Sequence, residues 1–208
     1  MLWIILGIII SYFIGSIPTA FIFGRILKGI DIRQFGSGNV GATNALRVLG
    51  KGPGIMVLVL DILKGLVAVL FLGNFVLAKA KMVGISDEIL RTLLGLSCIS
   101  GHNWTIFLRF KGGKGVATTL GVLLGLAVKI SGLKIVLGLV ILTWIFMFLI
   151  IRIVSLASVI CGISLPIYMV LFKQSNFLIF FGMLLAIFII LRHGSNIKRV
   201  LQGKERRL

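Results

Sequence analysis

MLWIILGIIISYFIGSIPTAFIFG, residues 1–24, is apolar over the length that an α-helix needs to cross a bilayer, about 20 residues. No basic segment precedes the apolar run, and no small-residue cleavage site follows it. The run is also longer than the apolar core of a signal peptide. We therefore interpret it as a retained membrane-spanning helix.

Six further apolar segments end at charged residues, glycine or proline. Of the 208 residues, 59% are hydrophobic and 13% are charged. This pattern predicts an all-α integral membrane protein, with one polytopic domain over residues 1–208 and about seven transmembrane helices. Five complete spans is the alternative, because the fourth segment is short. The predicted spans are 2–24, 54–77, 89–108, 116–131, 133–151, 154–172 and 177–191.

The chain is strongly basic, with a formal net charge of +17. In a soluble protein this charge would suggest nucleic acid, but here the basic residues lie between spans. Anionic headgroups and anionic substrates are therefore the expected partners, and nucleic acid is not. The positive-inside rule places the N-terminus outside and the C-terminus in the cytoplasm. In that topology the basic residues of the outer loops are Lys79, Lys81, Lys129, Lys134 and Lys173.

Three polar segments face the cytoplasm in this topology. Each combines small residues, which let the backbone approach a ligand closely, with basic and hydrogen-bonding side chains. A site for a phosphorylated, water-soluble molecule at the membrane face needs such a set. The segments are GSGNVGATNALR (36–47), GHNWTIFLRFKGGKGVATT (101–119) and RHGSNIKRVLQGKE (192–205).

The second segment contains FKGGKGVATT, residues 110–119, which predicts a binding site for an anion. Glycines allow backbone N–H groups to converge on one point, and a helix that begins near Val116 directs its positive end there. The sequence is not a Walker A loop, because Gly115 follows Lys114 where Ser or Thr would bind magnesium. No nucleotide is expected. The predicted binding residues are Lys111, Gly112, Gly113, Lys114 and Gly115.

The first and third segments add polar side chains. Asn39 and Thr43 lie among the potential donors before Arg47, which either clamps a phosphate bidentately or anchors the chain at the interface. His193 and Asn196 are three residues apart, so on a helix they share a face. Glu205 is the only acidic residue in the C-terminal tail and is expected to pair with neighbouring basic residues.

A separate pair of ionisable residues lies inside the second predicted span. Asp61 and Lys64 are three residues apart and share a helix face, so they can neutralise each other. An ionisable residue at that depth can also serve function. Structural pairing and a functional role are therefore both open at this point.

Taken together and in this order, the three polar segments resemble the membrane-integral glycerol-3-phosphate acyltransferases that use acyl phosphate as donor. The resemblance covers nearly the whole chain. It implies transfer of an acyl group to the 1-hydroxyl of glycerol 3-phosphate, which forms lysophosphatidic acid in bacterial phospholipid synthesis. The implied location is the bacterial cell (inner) membrane with the active site facing the cytoplasm. The implied partners are glycerol 3-phosphate, acyl phosphate and membrane lipids, without a cofactor or metal.

The resemblance also implies roles for individual residues. It marks Ser37 and Arg47, the glycerol-3-phosphate cradle from Gly112 to Gly115, Ser155, and the third segment. We accordingly assign catalytic roles to Ser37, Arg47, Lys114, His193 and Asn196, and a structural role to Glu205. The assigned substrate-binding residues are Asn39, Thr43, Lys111, Gly112, Gly113, Gly115 and Ser155. One departure is Thr105, where that family usually has proline.

The reaction chemistry can be examined independently of the resemblance. Glycerol-phosphate acyltransferases that use thioesters carry the pattern H-x-x-x-x-D, but five residues after its two histidines this chain has Phe107 and Lys198. Without a His–Asp pair, a strongly activated nucleophile is absent, so the donor must bring its own activation. We expect no covalent acyl-enzyme, with either His193 or a substrate phosphate accepting the proton. A transporter of a phosphorylated metabolite is the alternative, although transporters place polar breaks near the midplane in both halves.

Overall fold

The computed structural model describes residues 1–80 and 84–207, and every regular element in those ranges is helical. Lys81, which was counted among the loop charges, lies outside the described residues. A π-helical turn, Ala68–Leu72, joins the fourth helix to the fifth. The α-helices are α1 (Leu2–Ser16), α2 (Thr19–Lys28), α3 (Ala42–Leu49), α4 (Lys51–Val67), α5 (Gly73–Lys79), α6 (Asp87–Asn103), α7 (Val116–Lys129), α8 (Leu133–Ile151), α9 (Val154–Leu171), α10 (Asn176–Arg192) and α11 (Gly194–Leu201).

Each of the seven predicted spans coincides with helix, but not all of them are long enough to cross a bilayer. Among the described residues, four helical stretches are long and apolar enough: Leu2–Lys28, Lys51–Lys79, Leu133–Ile151 and Val154–Leu171. A fifth forms if α10 and α11, bent by 60° at their junction, are one span. The predicted count of seven spans is therefore not confirmed, and the alternative of five matches the upper count. The orientation of the termini stays a prediction.

The chain divides into two compact units, Met1–Leu126 and Ala127–Leu208. In the first unit, α1 and α6 approach closely because glycines face backbone. A Cβ at Gly15 would overlap the carbonyl of Cys98, and a Cβ at Gly101 would overlap the carbonyl of Tyr12. Small residues of this kind let helices pack in lipid, where polar groups must find partners within the protein.

Hydroxyl groups complete the contact between α1 and α6. Ser11 Oγ donates to the carbonyl of Leu94 at 2.6 Å, and Ser97 Oγ donates to the carbonyl of Ile8 at 2.7 Å. Both bonds run between helices that are far apart in sequence. They fix the position of α6, whose C-terminal end carries part of the candidate site.

The end of α6 is set by Thr105. Its hydroxyl donates to the carbonyl of Ser16 at 2.6 Å and accepts from the amide of Phe107 at 3.3 Å. A short 3₁₀ turn follows, and then Arg109 and Phe110 adopt left-handed backbone angles, with φ of 54° and 60°. The helix break therefore forms without proline and redirects the chain toward the glycine-rich segment.

The second unit contains α8, α9, α10 and α11. Across α8 and α9, Trp144 Nε1 donates to Ser158 Oγ at 3.1 Å. Gly162 of α9 lies against Ile189 of α10, where an added Cβ would stand 3.0 Å from a methyl carbon. These contacts hold α10, and the bend after it places His193 between α10 and α11.

Candidate active site

The segment Gly112 to Gly115, here called the glycine turn, packs on the C-terminal end of α6. The amide of Gly112 donates to the carbonyl of Asn103 at 3.2 Å, and the amide of Gly113 donates to the carbonyl of His102 at 3.0 Å. The last carbonyls of a helix have no intrahelical donor, so the turn satisfies two of them. These two amides are engaged within the chain, and phosphate binding by Gly112 and Gly113 stays a prediction.

Steric contacts explain why three of the four residues of the turn are glycine. A Cβ at Gly112 would overlap the carbonyl of His102, and a Cβ at Gly113 would overlap the His102 imidazole. Gly115 has φ of 78°, in the left-handed region that favours glycine. A Cβ there would also stand 2.6 Å from Asn103 Oδ1. The glycines therefore allow close packing on α6, which composition alone did not indicate.

Two buried polar side chains beside the turn were not assigned from the sequence. Asn103 and Thr118 are both 0% exposed. Among the described residues, both polar side-chain atoms of Asn103 and the hydroxyl of Thr118 lack a hydrogen-bond partner. An unsatisfied buried polar group costs about 1–3 kcal/mol, so native proteins rarely leave one without water or a ligand. Both residues lie in the second polar segment, but the sequence does not distinguish them from its other polar residues. Their burial without a hydrogen-bond partner identifies them as candidate site residues.

The other residues of the turn region carry charge and helix amides. Lys111 is exposed and Lys114 is partly exposed. α7 begins at Val116, directly after the turn, and the first amides of a helix have no intrahelical acceptor. A negative group is stabilised at this end of a helix. The groups of this segment with the chemistry to bind an anion are its lysines and the first amides of α7.

The first polar segment is organised by Asn44, whose importance was not recognised from the sequence. Asn44 is 1% exposed. Its Oδ1 accepts from the amide of Ser37 at 2.8 Å, and its Nδ2 donates to the carbonyls of Ile32 and Phe35 at 3.3 and 3.1 Å. The loop before α3 is thus built around one amide group.

The assigned residues of this segment lie on either side of that loop. Ser37 is exposed, and Asn39, Thr43 and Arg47 are partly buried. Thr43 and Arg47 are four residues apart on α3, so they share a helix face. The hydrogen bonds of Asn44 therefore shape the loop that carries the first polar segment, whereas contacts with α6 position the glycine turn.

A buried charged cluster lies in the same unit. The Lys64 ammonium is 2.9 Å from Asp61 Oδ1, which confirms the predicted pairing. Asp61 Oδ1 also accepts from Thr19 Oγ1 at 2.6 Å, and Lys64 Nζ lies 2.6 Å from His102 Nδ1. The side chains of Asp61, Lys64 and His102 are 1%, 5% and 7% exposed. The cluster links α2 and α4 to the end of α6.

In the second unit, Glu205 is the centre of a hydrogen-bond cluster. Its carboxylate accepts from Ser155 Oγ at 2.9 Å, from Asn196 Nδ2 at 2.5 Å and from Arg199 Nε at 2.6 Å. Burial opposes ionisation of Glu205, but hydrogen bonds from Arg199, Asn196 and Ser155 outweigh it and hold its pKa below the ordinary value. Pairing with a basic neighbour was predicted and is confirmed.

The same cluster changes the interpretation of Ser155. A hydroxyl has one hydrogen, and Ser155 uses it to bind Glu205. In this structure the Ser155 hydrogen is engaged with Glu205, so the assignment of Ser155 to substrate binding stays a prediction, in which its oxygen would act as an acceptor. In this structure it orients Glu205, and Glu205 orients Asn196.

His193 lies at the bend between α10 and α11 and is 3% exposed. Its Nδ1 is 2.7 Å from the carbonyl oxygen of Ile189. A carbonyl can only accept, so Nδ1 carries the hydrogen, and in the neutral ring Nε2 is an acceptor. An imidazole in this tautomer is suited to receive a proton at Nε2.

The fold and the polar groups define a class: an all-helical integral membrane protein whose basic and hydrogen-bonding residues are suited to binding a polar, anionic molecule. Comparison with known proteins gives the family. The family profile described as "Glycerol-3-phosphate acyltransferase" matches residues 5–203. The chain belongs to the glycerol-3-phosphate acyltransferase family.

Similar proteins span nearly the whole chain. The glycerol-3-phosphate acyltransferase of Desulforamulus reducens is 41% identical over 198 residues, which are 95% of this chain and 92% of that protein. That of Desulforudis audaxviator is 42% identical over 204 residues, with coverage of 98% and 95%.

Solved structures of PlsY (YgiH), an integral membrane glycerol 3-phosphate acyltransferase, are also similar to this chain. Its glycerol 3-phosphate form has a TM-score of 0.84 and 38% identity, over 99% of this chain and 95% of that chain. Its lysophosphatidic acid form has a TM-score of 0.81 and 37% identity, with the same coverage.

The lowered pKa of Glu205 predicts how the second unit responds to acid. Ionised Glu205 stabilises the folded state fully above its unfolded-chain pKa, about 4.3, and the contribution is lost as pH falls through the lower folded pKa. Glu205→Gln should therefore unfold at a lower temperature than the wild type at pH 7. The difference in unfolding temperature between the two proteins should become smaller below about pH 4.3. Thermal unfolding of both proteins in detergent across this range is the measurement, and a gap that widens in acid would contradict the assignment.

Proposed function

We propose that the protein transfers a fatty acyl group from acyl phosphate to the 1-hydroxyl of glycerol 3-phosphate, forming lysophosphatidic acid. The observation that carries the proposal is family membership over residues 5–203. The similar solved protein is described in both a glycerol 3-phosphate form and a lysophosphatidic acid form, which are the substrate and product of this reaction. Bacterial phospholipid synthesis is the proposed setting.

Phosphate binding is proposed for groups of the first unit. Lys114 and Lys111 supply positive charge, and the start of α7 supplies amides and the positive end of a helix. Ser37, Asn39, Thr43 and Arg47 supply further donors from the segment around Asn44. The glycines of the turn contribute by letting the chain pack on α6, as their contacts with His102 and Asn103 indicate.

In the proposed reaction, the 1-hydroxyl oxygen of glycerol 3-phosphate attacks the acyl carbonyl carbon directly. The bond between that carbon and the donor's phosphate oxygen breaks, and inorganic phosphate leaves. The hydroxyl proton goes to His193 Nε2 or to a phosphate oxygen of a substrate. The Nδ1 bond to Ile189 supports His193, because it leaves Nε2 as the acceptor in the neutral ring. Asn196, held by Glu205, is the proposed catalytic companion of His193.

An acyl phosphate is a mixed anhydride with a good leaving group, so positioning and charge stabilisation can supply most of the catalysis. We therefore expect purified protein to form lysophosphatidic acid from glycerol 3-phosphate and acyl phosphate, without added metal or nucleotide. Acyl-CoA and acyl carrier protein should not serve as donors. Product formation is measured with each donor alone. Equal turnover with acyl-CoA would refute the proposed donor, and acylation of protein without glycerol 3-phosphate would refute direct transfer.

The charge of Lys114 provides a test of phosphate binding. Loss of one charge-assisted hydrogen bond corresponds to about 1.5–3 kcal/mol, so Lys114→Ala should raise the KM for glycerol 3-phosphate by about ten- to a hundredfold. It should also lower kcat. Lys129→Ala removes the same charge at the opposite end of α7 and should leave both constants within about threefold. If Lys114→Ala instead raises only the KM for acyl phosphate, the residue binds the donor.

The cytoplasmic orientation of the site is supported by the distribution of basic residues among the loops. It predicts that Lys111→Cys, in a protein with Cys98 and Cys161 replaced by Ala, reacts with a membrane-impermeant thiol reagent only in inverted membrane vesicles. Lys79→Cys in the same background should react in intact cells, because that loop is placed outside. Both lysines are exposed, so burial does not limit labelling. The reversed pattern would invert the topology.

A further inference from the structure

The buried cluster of Asp61, Lys64 and His102 has no part in the proposed reaction, yet it ends against the glycine turn. Lys64 Nζ lies 2.9 Å from Asp61 Oδ1 and 2.6 Å from His102 Nδ1, and donates to the carbonyl of Ile17 at 3.3 Å. The ammonium therefore has three acceptors, one for each of its hydrogens. Its position is fixed by three different parts of the first unit.

These contacts select one tautomer of His102. An ammonium group can only donate, so Nδ1 must accept, and the imidazole is neutral with its hydrogen on Nε2. Asp61 places a carboxylate oxygen 2.9 Å from the same ammonium and balances its charge. His102 and His193 therefore carry opposite tautomers, the first with hydrogen on Nε2 and the second with hydrogen on Nδ1.

The Nε2 side of the His102 ring meets the glycine turn. Nε2 occupies the place where a side-chain Cβ of residue 113 would stand. The His102 carbonyl accepts from the amide of Gly113 at 3.0 Å, so one residue contacts the turn through both its backbone and its ring. The residue that follows Gly113 is Lys114, the proposed phosphate ligand.

Stability alone is a weak reason for this ion pair. Burying two charges costs several kcal/mol per ion, and a buried pair often contributes no more than apolar side chains of similar size. Ionisable residues within membrane spans are also rare and commonly functional. The cluster is explained if the Lys64 ammonium is needed at Nδ1 of His102. A pair of apolar residues could not provide that contact.

We propose that His102 is a positioning residue for glycerol 3-phosphate binding. The Asp61–Lys64 pair holds its imidazole with hydrogen on Nε2 against Gly113, and this contact sets the shape of the glycine turn that presents Lys114. The inference rests on the proposed function, because glycerol 3-phosphate is its substrate.

Two substitutions of His102 separate positioning from folding. Gln carries its amide at the distance of Nε2 from the backbone, so His102→Gln should keep the KM for glycerol 3-phosphate within about threefold of the wild type. Asn carries its amide at the distance of Nδ1, so His102→Asn retains a group for Lys64 but none that reaches Gly113. Loss of a contact of about 1.5 kcal/mol should raise that KM about tenfold. The KM for acyl phosphate should not change in either variant.

Ser97→Ala is the matched control, because it removes a hydrogen bond from the same helix, to the carbonyl of Ile8, away from the turn. It should lower the unfolding temperature without altering either KM. Equal kinetic effects of His102→Gln and His102→Asn would overturn the proposal. So would variants whose only defect is lower thermal stability.

The tautomer is measured separately by ¹⁵N NMR of histidine-labelled protein in detergent, since the chain has only 2 histidines. The wild type should show one ring protonated at Nε2 and one at Nδ1, and the Nε2-protonated signal should persist in His193→Gln. An active enzyme whose His102 is protonated at Nδ1, or at both nitrogens, would overturn this inference alone. Failure of the wild type to acylate glycerol 3-phosphate with any donor would instead reject the proposed function.

Discussion

The carbonyl groups at the end of α6 need hydrogen-bond donors, and the candidate site of the first unit depends on how they obtain them. The chain turns at Thr105, passes through two left-handed residues and returns so that Gly112 and Gly113 donate to Asn103 and His102. Only glycine fits this close to the helix end. Lys114 and the start of α7 are placed by this return, so the charge that we assign to phosphate binding is positioned by a helix cap.

The two histidines illustrate how the partner of one ring nitrogen determines the use of the other. A lysine at Nδ1 makes His102 a donor at Nε2, and a carbonyl at Nδ1 makes His193 an acceptor at Nε2. The first arrangement allows His102 to support the backbone of the glycine turn, and the second allows His193 to accept a proton. Residue type alone does not distinguish these roles, because the partners are supplied by distant parts of each unit or by the preceding helical turn.

Local pattern was sufficient to predict the helical class, the apolar segments, the three polar segments and the pairing of Asp61 with Lys64. Apolar length and i, i+3 spacing depend only on neighbouring residues. The partner of each side-chain hydrogen-bond donor could not be predicted in this way. Ser155 donates to a residue 50 positions away, and Lys64 contacts His102 across 38 positions. The predicted count of seven spans was not confirmed, because residues 87–103 and 116–129 form helices shorter than the length needed to cross a bilayer.

The hydroxyl of Thr105 also affects how this part of the chain forms. Peptide bonds before proline isomerise over tens to hundreds of seconds, and a proline here would add that slow equilibrium next to the glycine turn. With threonine, the bend requires only a rotamer choice and the hydrogen bond to Ser16, which form on much faster timescales. Residues 105–115 contain no proline, so formation of this segment includes no slow X–Pro isomerisation of its own.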